Sequence, residues 1–315
     1  MTMADSPVLV ADVGGTNTRV ALARGRVLVA GSTARFRNAE FDGLEGVLQG
    51  YLARHLTRPE RAAIALAGPV RGAFAEMTNL GWSVDAQALG SATGIDQIAL
   101  LNDLQAQGHA VPHLPATHLR QVRAGSREDG ARLVIGLGTG VNAAPVLPVG
   151  AGHVVPAAEA GHIHLPLRGP LDYRLADWLT ARRGFPSVED VLSGSGLERL
   201  YAFHAAEAKS SRALDAAAIM AALEQGDALA QAVGRHYVRL LAQVTADLAL
   251  ITLPVGGIYL IGGVARAIAP WLERFGFDAG FTDMGRFSDT VARFPVAIVE
   301  DDFAALTGCA AYLSA

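Results

Sequence analysis

Val8-Leu9-Val10-Ala11-Asp12-Val13-Gly14-Gly15-Thr16-Asn17-Thr18-Arg19-Val20 decides the fold, and Leu133-Val134-Ile135-Gly136-Leu137-Gly138-Thr139-Gly140-Val141-Asn142-Ala143-Ala144 repeats its design. In each stretch a short apolar strand enters a turn of glycine and threonine and leaves as a second apolar strand. Glycine lets backbone N–H groups approach an anion closely, and a threonine hydroxyl adds a donor. Gly14, Gly15, Thr16 and Asn17 in the first turn, and Gly138, Thr139 and Gly140 in the second, therefore suit phosphate oxygens. Two such turns in one chain point to two related half-domains that clamp one polyphosphate between them, as in a nucleotide-dependent phosphotransferase. Strand alternation resumes after Thr18, which excludes a Rossmann helix, and neither turn spells G-x-G-x-x-G.

Working outward, residues 18–23 and 27–32 continue the strand pattern of 8–13, and Phe41, Leu44, Val47, Leu48, Tyr51 and Leu52 have helical spacing. Residues 62–67 and 97–101 read as apolar strands, the second running into Asn102-Asp103 and a helix to about His109. The stretch 110–130 holds Pro112, Pro115, Gly125 and Gly130 and reads as a passage between domains. The strand-turn-strand pattern restarts at Ala131. Helices follow at 171–182, 196–208, 215–223 and about 227–253, the last stopped by Pro254. Strands at 258–261 and 296–299 precede a final helix, 303–313, placed to pack back on the first domain. The expected architecture is two α/β domains, residues 1–112 plus 302–315 and the larger 113–301 with helical insertions.

Composition narrows the function. With 315 residues, 51% hydrophobic and 18% charged, the chain is globular and long enough for two cores. A net charge of -4 and the lack of any basic block argue against nucleic acid as a partner. The start carries Asp5 and no basic residue before Pro7, which disfavours a secretory signal. The richest apolar stretch, 244–254, is interrupted by Thr245 and Asp247 and is too short for a bilayer. A cytoplasmic homodimer with no membrane partner is expected. A lone cysteine, Cys309, excludes both a disulfide and a cysteine zinc site within the chain. The lone lysine, Lys209, lies in a polar run and fits neither a P-loop, a protein kinase nor a Schiff base. Phosphate must then be held by backbone, hydroxyls, arginine or metal.

Asp12 is a carboxylate in an apolar strand directly before the glycines. An unpaired charge there is costly, and beside a phosphate turn the natural counter-ion is Mg²⁺, held through water. A hairpin whose Asp bonds its own turn fits the same residues. Asn102-Asp103 ends a strand and opens a helix, so it is either a cap or, at the carboxyl end of a strand in an open sheet, a ligand-facing base and its neighbour. Glu159-Ala160-Gly161-His162 can aim a carboxylate and an imidazole at a polyhydroxylated ligand. Glu189 follows Ser187, which pairs with Asp190 as a capping box, so on its own it reads as a first-turn helix charge. Gly262-Gly263 after Tyr259-Leu260-Ile261 is either an ordinary strand-to-helix turn or a place where a flat ring meets the backbone. The histidines match no zincin spacing, so none is expected to bind metal.

Taken in this order, the residues resemble the actin-like sugar kinase superfamily, and within it the bacterial glucokinase family that lacks a zinc motif. Residues 12–17 look like its first phosphate motif, 136–140 like its second, and Ile261-Gly262-Gly263 like its adenosine motif. Met77-Thr78-Asn79-x-x-Trp82, Leu101-Asn102-Asp103, Glu159-x-Gly161-His162 and Glu189 before Val191-Leu192-Ser193-Gly194 are further family-like elements. The resemblance implies two ribonuclease-H-like domains with a sugar and ATP cleft between them, and ATP with Mg²⁺ as donor. It implies Asp103 as the base on the 6-hydroxyl of glucose, with Asn79, Asn102, Glu159, His162 and Glu189 on the sugar hydroxyls. A kinase for mannose, fructose or an N-acetylhexosamine, and an idle sugar sensor, are the alternatives. The repressor-linked sugar kinases carry a cysteine zinc motif that a chain with one cysteine lacks. Ala11, Asn142, Ala160 and Ser195 depart from the family pattern, and Asn142 stands where a glycine usually follows the second turn.

Overall fold

The computed structural model describes residues 6–55, 58–77 and 80–314. Its contacts divide the chain into one unit of Met1–Pro115, Pro148–Ala157 and Asp301–Ala315 and a second of Ala116–Leu147 and Ala158–Glu300.

In the first unit, β1 (Val8–Val13) and β2 (Asn17–Arg24) form the antiparallel hairpin around the first turn. The short β3 (Val27–Leu28) and β4 (Ala34–Arg37) both pair with β2. After α1 (Leu44–Leu52), β5 (Arg61–Leu66) lies parallel to β1. A small three-stranded sheet, β6 (Val70–Arg71), β7 (Phe74–Met77) and β8 (Trp82–Asp85), leads through α2 (Ala86–Thr93) to β9 (Gln97–Asn102), parallel to β5. The helix α3 (Asp103–Ala110) follows at once. The main sheet order is β3-β2-β1-β5-β9, the ribonuclease-H order of an antiparallel hairpin extended by two parallel strands.

The two-residue period of β1 explains its two faces. Leu9, Ala11 and Val13 enter one apolar core with Leu44, Leu48 and Tyr51. Val8 and Val10 enter another with Ala63, Ala65 and residues Leu306, Cys309 and Ala310 of the C-terminal helix Ala304–Leu313. Asp12 shares the parity of Val8 and Val10, so the second face carries the charge at its carboxyl end. That final helix belongs to the first unit, as its sequence position suggested.

The second unit repeats the order. Its edge strand β10 (Leu119–Arg123) pairs antiparallel with the last strand. The hairpin β11 (Arg132–Leu137) and β12 (Val141–Val149) surrounds the second turn, and β13 (Gly152–Val154), which falls among the residues grouped with the first unit, follows it in the chain. Between hairpin and next strand come α4 (Pro170–Arg183), α5 (Glu189–Leu192), α6 (Gly194–Glu207), α7 (Ala216–Glu224) and α8 (Ala228–Thr252). Then β14 (Ile258–Ile261), α9 (Gly263–Leu272), α10 (Phe277–Thr282), α11 (Ser288–Val291) and β15 (Val296–Val299) close the unit. The order β10-β15-β14-β11-β12-β13 contains the same hairpin and two parallel strands, with β10 added at the edge. Val233, Tyr237, Leu240, Leu241, Val244 and Leu248 recur at helical spacing along α8 and fill the core against Leu133, Ile135 and Leu137.

Sequence reading and structure differ at four places. The expected strand 27–32 stops at Leu28, because Gly31 turns at a φ of 73° and Ser32 folds back to accept from the Leu22 N–H at 3.1 Å. The stretch 110–130, read as a passage between domains, also contains the strand β10. Residues 148–157, assigned by sequence to the larger domain, group with the first unit. The sheet β6–β8 had no reading, its strands of two to four residues being too short to show a period.

Candidate active site

The candidate residues that the structure describes fall into two groups, one on each unit. In the first unit, strand register gathers them at one sheet edge. Asp12 pairs with Ala65 of β5, and Ala65 with Leu101 of β9, so Asn102 and Asp103 begin one residue further along the same carboxyl edge. Ligands in open α/β sheets bind beyond that edge. The turn itself is closed by Gly14 N–H donating to Asn17 O at 3.0 Å.

Asp12 is not the unpaired charge the sequence suggested. Arg19 lies directly across the hairpin, and its Nη1 reaches Asp12 Oδ2 at 3.2 Å. Burial pushes the Asp12 carboxyl above its ordinary range, while the charge and hydrogen bond of Arg19 pull it back only in part.

The Asn102-Asp103 pair divides its tasks. Asn102 is the cap of α3: its Oδ1 accepts from Leu104 N–H at 3.0 Å, and Gln105 Oε1 accepts from Asn102 N–H at 3.1 Å, a complete capping box. Asn102 Nδ2 also donates to Gly68 O at 3.1 Å. Asp103 occupies the first helical position and is half-buried, with Oδ1 accepting from the Leu104 N–H at 2.7 Å. Asn79 lies outside the described residues.

In the second unit the second turn is the hub. Gly138 N–H donates to Gly140 O at 3.0 Å, and Gly194 N–H, at the start of α6, donates to Gly138 O at 2.8 Å. Glu189 is more than a first-turn charge, because its Oε2 accepts from Val141 N–H at 2.8 Å and so braces the turn. The Ser187–Asp190 box forms as read, with Ser187 Oγ donating to Asp190 Oδ2 at 2.7 Å and accepting from Asp190 N–H at 3.1 Å. Burial raises the Asp190 carboxyl, but bonds from Ser187 and Arg183 and the charge of Arg199 outweigh it and hold it below its ordinary value. This fixes the helix start from which Glu189 projects. Glu159 and His162 are exposed on the loop after the hairpin.

Gly262 and Gly263 lie at the carboxyl end of β14, whose Ile261 pairs with Gly136 of β11. At Gly262 φ is 114° and an added Cβ would stand 2.3 Å from Leu137 O, so only glycine fits. A Cβ on Gly138 or Gly263 would meet no protein atom within 4 Å, so the backbone at both faces open space. Beside Gly263 opens an apolar cavity of about 150 Å³ walled by Leu197, Ala216, Met220, Val264 and Ile268.

Sequence reading missed Arg19 as the partner of Asp12, and Asn38 altogether. Arg19 was recoverable from hairpin register. Asn38 was not, since it acts from 24 residues away: only 2% exposed, it donates through Nδ2 to Gly14 O at 2.7 Å, accepts from Thr18 Oγ1 at 2.8 Å, and donates its own N–H to Thr16 O at 3.0 Å. Asn38→Ala should therefore loosen the first turn, leaving the buried Thr18 hydroxyl and Gly14 carbonyl without partners at a cost of about 1–3 kcal/mol. Thermal melting checks this, and an unchanged midpoint contradicts it.

Two ribonuclease-H-type sheets, each closing on a glycine–threonine turn, define the actin-like class of phosphotransferase. The comparisons narrow the class. The glucokinase family model matches residues 9–315. A glucokinase from Pseudomonas aeruginosa (strain LESB58) is 39% identical over 290 residues, covering 89% of this chain and 86% of its own. The crystal structure of a glucokinase from an Antarctic psychrotroph superposes with a TM-score of 0.88 at 31% identity, covering 98% of both chains. The fold alone is also shared with a glucokinase from Balamuthia mandrillaris solved with glucose, at a TM-score of 0.82 and 21% identity, over 98% of this chain and 93% of that one. The chain belongs to the glucokinase family.

Proposed function

We propose that this chain transfers the γ-phosphoryl group of ATP to the 6-hydroxyl of glucose, with Asp103 as the general base. The observation that carries the reading is the division of labour at α3. Asn102 and Gln105 complete the capping box, so Asp103, whose Oδ1 also takes the Leu104 N–H, is not the sole cap of the helix, and its carboxylate stands at the same sheet edge as Asp12 and the first turn. Phosphoryl transfer is mostly positioning and charge stabilisation, which suits a site of backbone amides and one base. The apolar cavity beside Gly263 suits the adenine, and the open backbone at Gly138 suits the phosphates.

Mg²⁺ fits the first turn: the carboxyl of Asp12, held by Arg19 one residue before the end of β1, stands beside it, and Mg²⁺ takes one or two carboxylates together with waters and phosphates. When bound it would neutralise charge on the transferred group. Glu159, His162, Asn102 and Asn79 are assigned to sugar hydroxyls, Glu189 through the oxygen other than the one on Val141. The amide of Asn102 keeps capacity for this, since its NH₂ has two hydrogens and its oxygen two lone pairs. We place the enzyme in the cytoplasm as a homodimer. Among the described residues no helix is long and apolar enough to cross a membrane.

Glu159→Gln and His162→Ala should raise the KM for glucose by about tenfold or more, with the KM for ATP nearly unchanged, as expected when a hydrogen-bonding partner worth about 1–3 kcal/mol is lost. Steady-state kinetics with each substrate varied in turn decides this. Equal increases in both constants would instead indicate a general folding defect.

A further inference from the structure

Asn142 follows the second phosphate turn, but its side chain does not serve that turn. Its backbone is extended within β12, paired with Gly136, and needs no left-handed conformation. Its amide instead reaches the loop that carries Glu159. Nδ2 donates to Ala158 O, and Oδ1 accepts from Ala160 N–H at 2.9 Å and from Ala143 N–H at 2.8 Å. The residues before and after Glu159 are thus tied to one side chain. One step further on, Gly161 presses on the same strand: a Cβ there would stand 1.9 Å from Val141 O. Val141 in turn gives its N–H to Glu189.

We infer that Asn142 is a positioning residue that fixes Glu159 toward the sugar. The inference rests on the sugar-site reading above. Glu159 is exposed and sits at a backbone conformation outside regular helix or strand, φ -129° and ψ 50°, so its direction depends on what holds its neighbours. The amide of Asn142 supplies that hold at both ends.

The test is kinetic, on the full chain with ATP, Mg²⁺ and glucose. Asn142→Ala should raise the KM for glucose about tenfold and leave the KM for ATP within about twofold, the size of effect expected for lost hydrogen bonds. Asn142→Asp, isosteric with the wild type, keeps an acceptor for Ala160 and loses the donor to Ala158. It should move the glucose constant the same way, so the question stays decidable if the alanine variant folds poorly. The double variant with Glu159→Gln separates positioning from bulk stability: once Glu159 no longer holds the sugar, removing Asn142 should add less than about twofold. Multiplying effects in that double variant, or glucose and ATP constants that rise together or not at all, would overturn the inference. A wild-type chain that turns over no glucose would instead overturn the underlying reading.

Discussion

Asp103→Asn should lower turnover at least about a hundredfold while melting temperature and glucose affinity stay near wild type. The substitution is close to isosteric and leaves α3 intact, because the capping box runs through Asn102, Leu104 and Gln105. Asparagine at the first helical position lacks the negative charge that favours a helix N-terminus, a loss of about 0.3–1 kcal/mol. Removing the proton acceptor is a far larger effect, since general-base catalysis contributes about 10²–10⁴ in rate, or roughly 3–5 kcal/mol of barrier. Those magnitudes separate a base from a merely structural carboxylate. Calorimetric glucose binding and kcat measured on one preparation decide the matter, and a variant that keeps more than about a tenth of wild-type turnover refutes the role.

Asp12→Asn is expected to split stability from function. Burial lifts the Asp12 carboxyl above its ordinary range, with Arg19 opposing only in part. A carboxyl raised in the folded state binds its proton more tightly there than in the unfolded chain. The charged form therefore costs stability at neutral pH, and the cost fades as pH falls through the raised value. Asparagine removes the buried charge, and Arg19, with its side chain 32% exposed, can turn to water. The variant should melt at or above wild type at pH 7, with the gap narrowing as pH falls through the raised value. Use of Mg·ATP should meanwhile fall by about 10–100-fold, a typical loss when a residue organising a metal is removed. Glucose binding in the absence of nucleotide should be unaffected. Full turnover at limiting Mg²⁺, or a lower melting point with normal kinetics, contradicts the assignment.

The parts of this molecule that were legible in its sequence are those set by short-range rules. The two hairpins follow from apolar alternation on both sides of a glycine turn, and β1, β14 and β15 have the bounds expected. The capping box of Ser187 and Asp190 follows from side-chain reach at three residues' spacing. What stayed hidden depends on contacts between distant segments. Asn38 reaches the first turn across 24 residues, and Glu189 reaches Val141 across 48. Asn142 read only as a departure just after the second phosphate turn, whereas alternation in β12 and a partner loop 16 to 18 residues on set its contacts. Arg19 is an intermediate case, since the hairpin register that pairs it with Asp12 was implicit in the two-residue period.

The most direct test of the account is the specificity of the wild-type chain for its acceptor. Purified protein with ATP and Mg²⁺ should be offered glucose, mannose, fructose and N-acetylglucosamine in turn, with ADP release and the position of the new phosphate ester read together. The account expects glucose to give the highest kcat/KM and to yield its 6-phosphate, with one ADP formed per sugar ester. A higher kcat/KM for another hexose, an ester at another hydroxyl, or sugar binding without ADP release would contradict it.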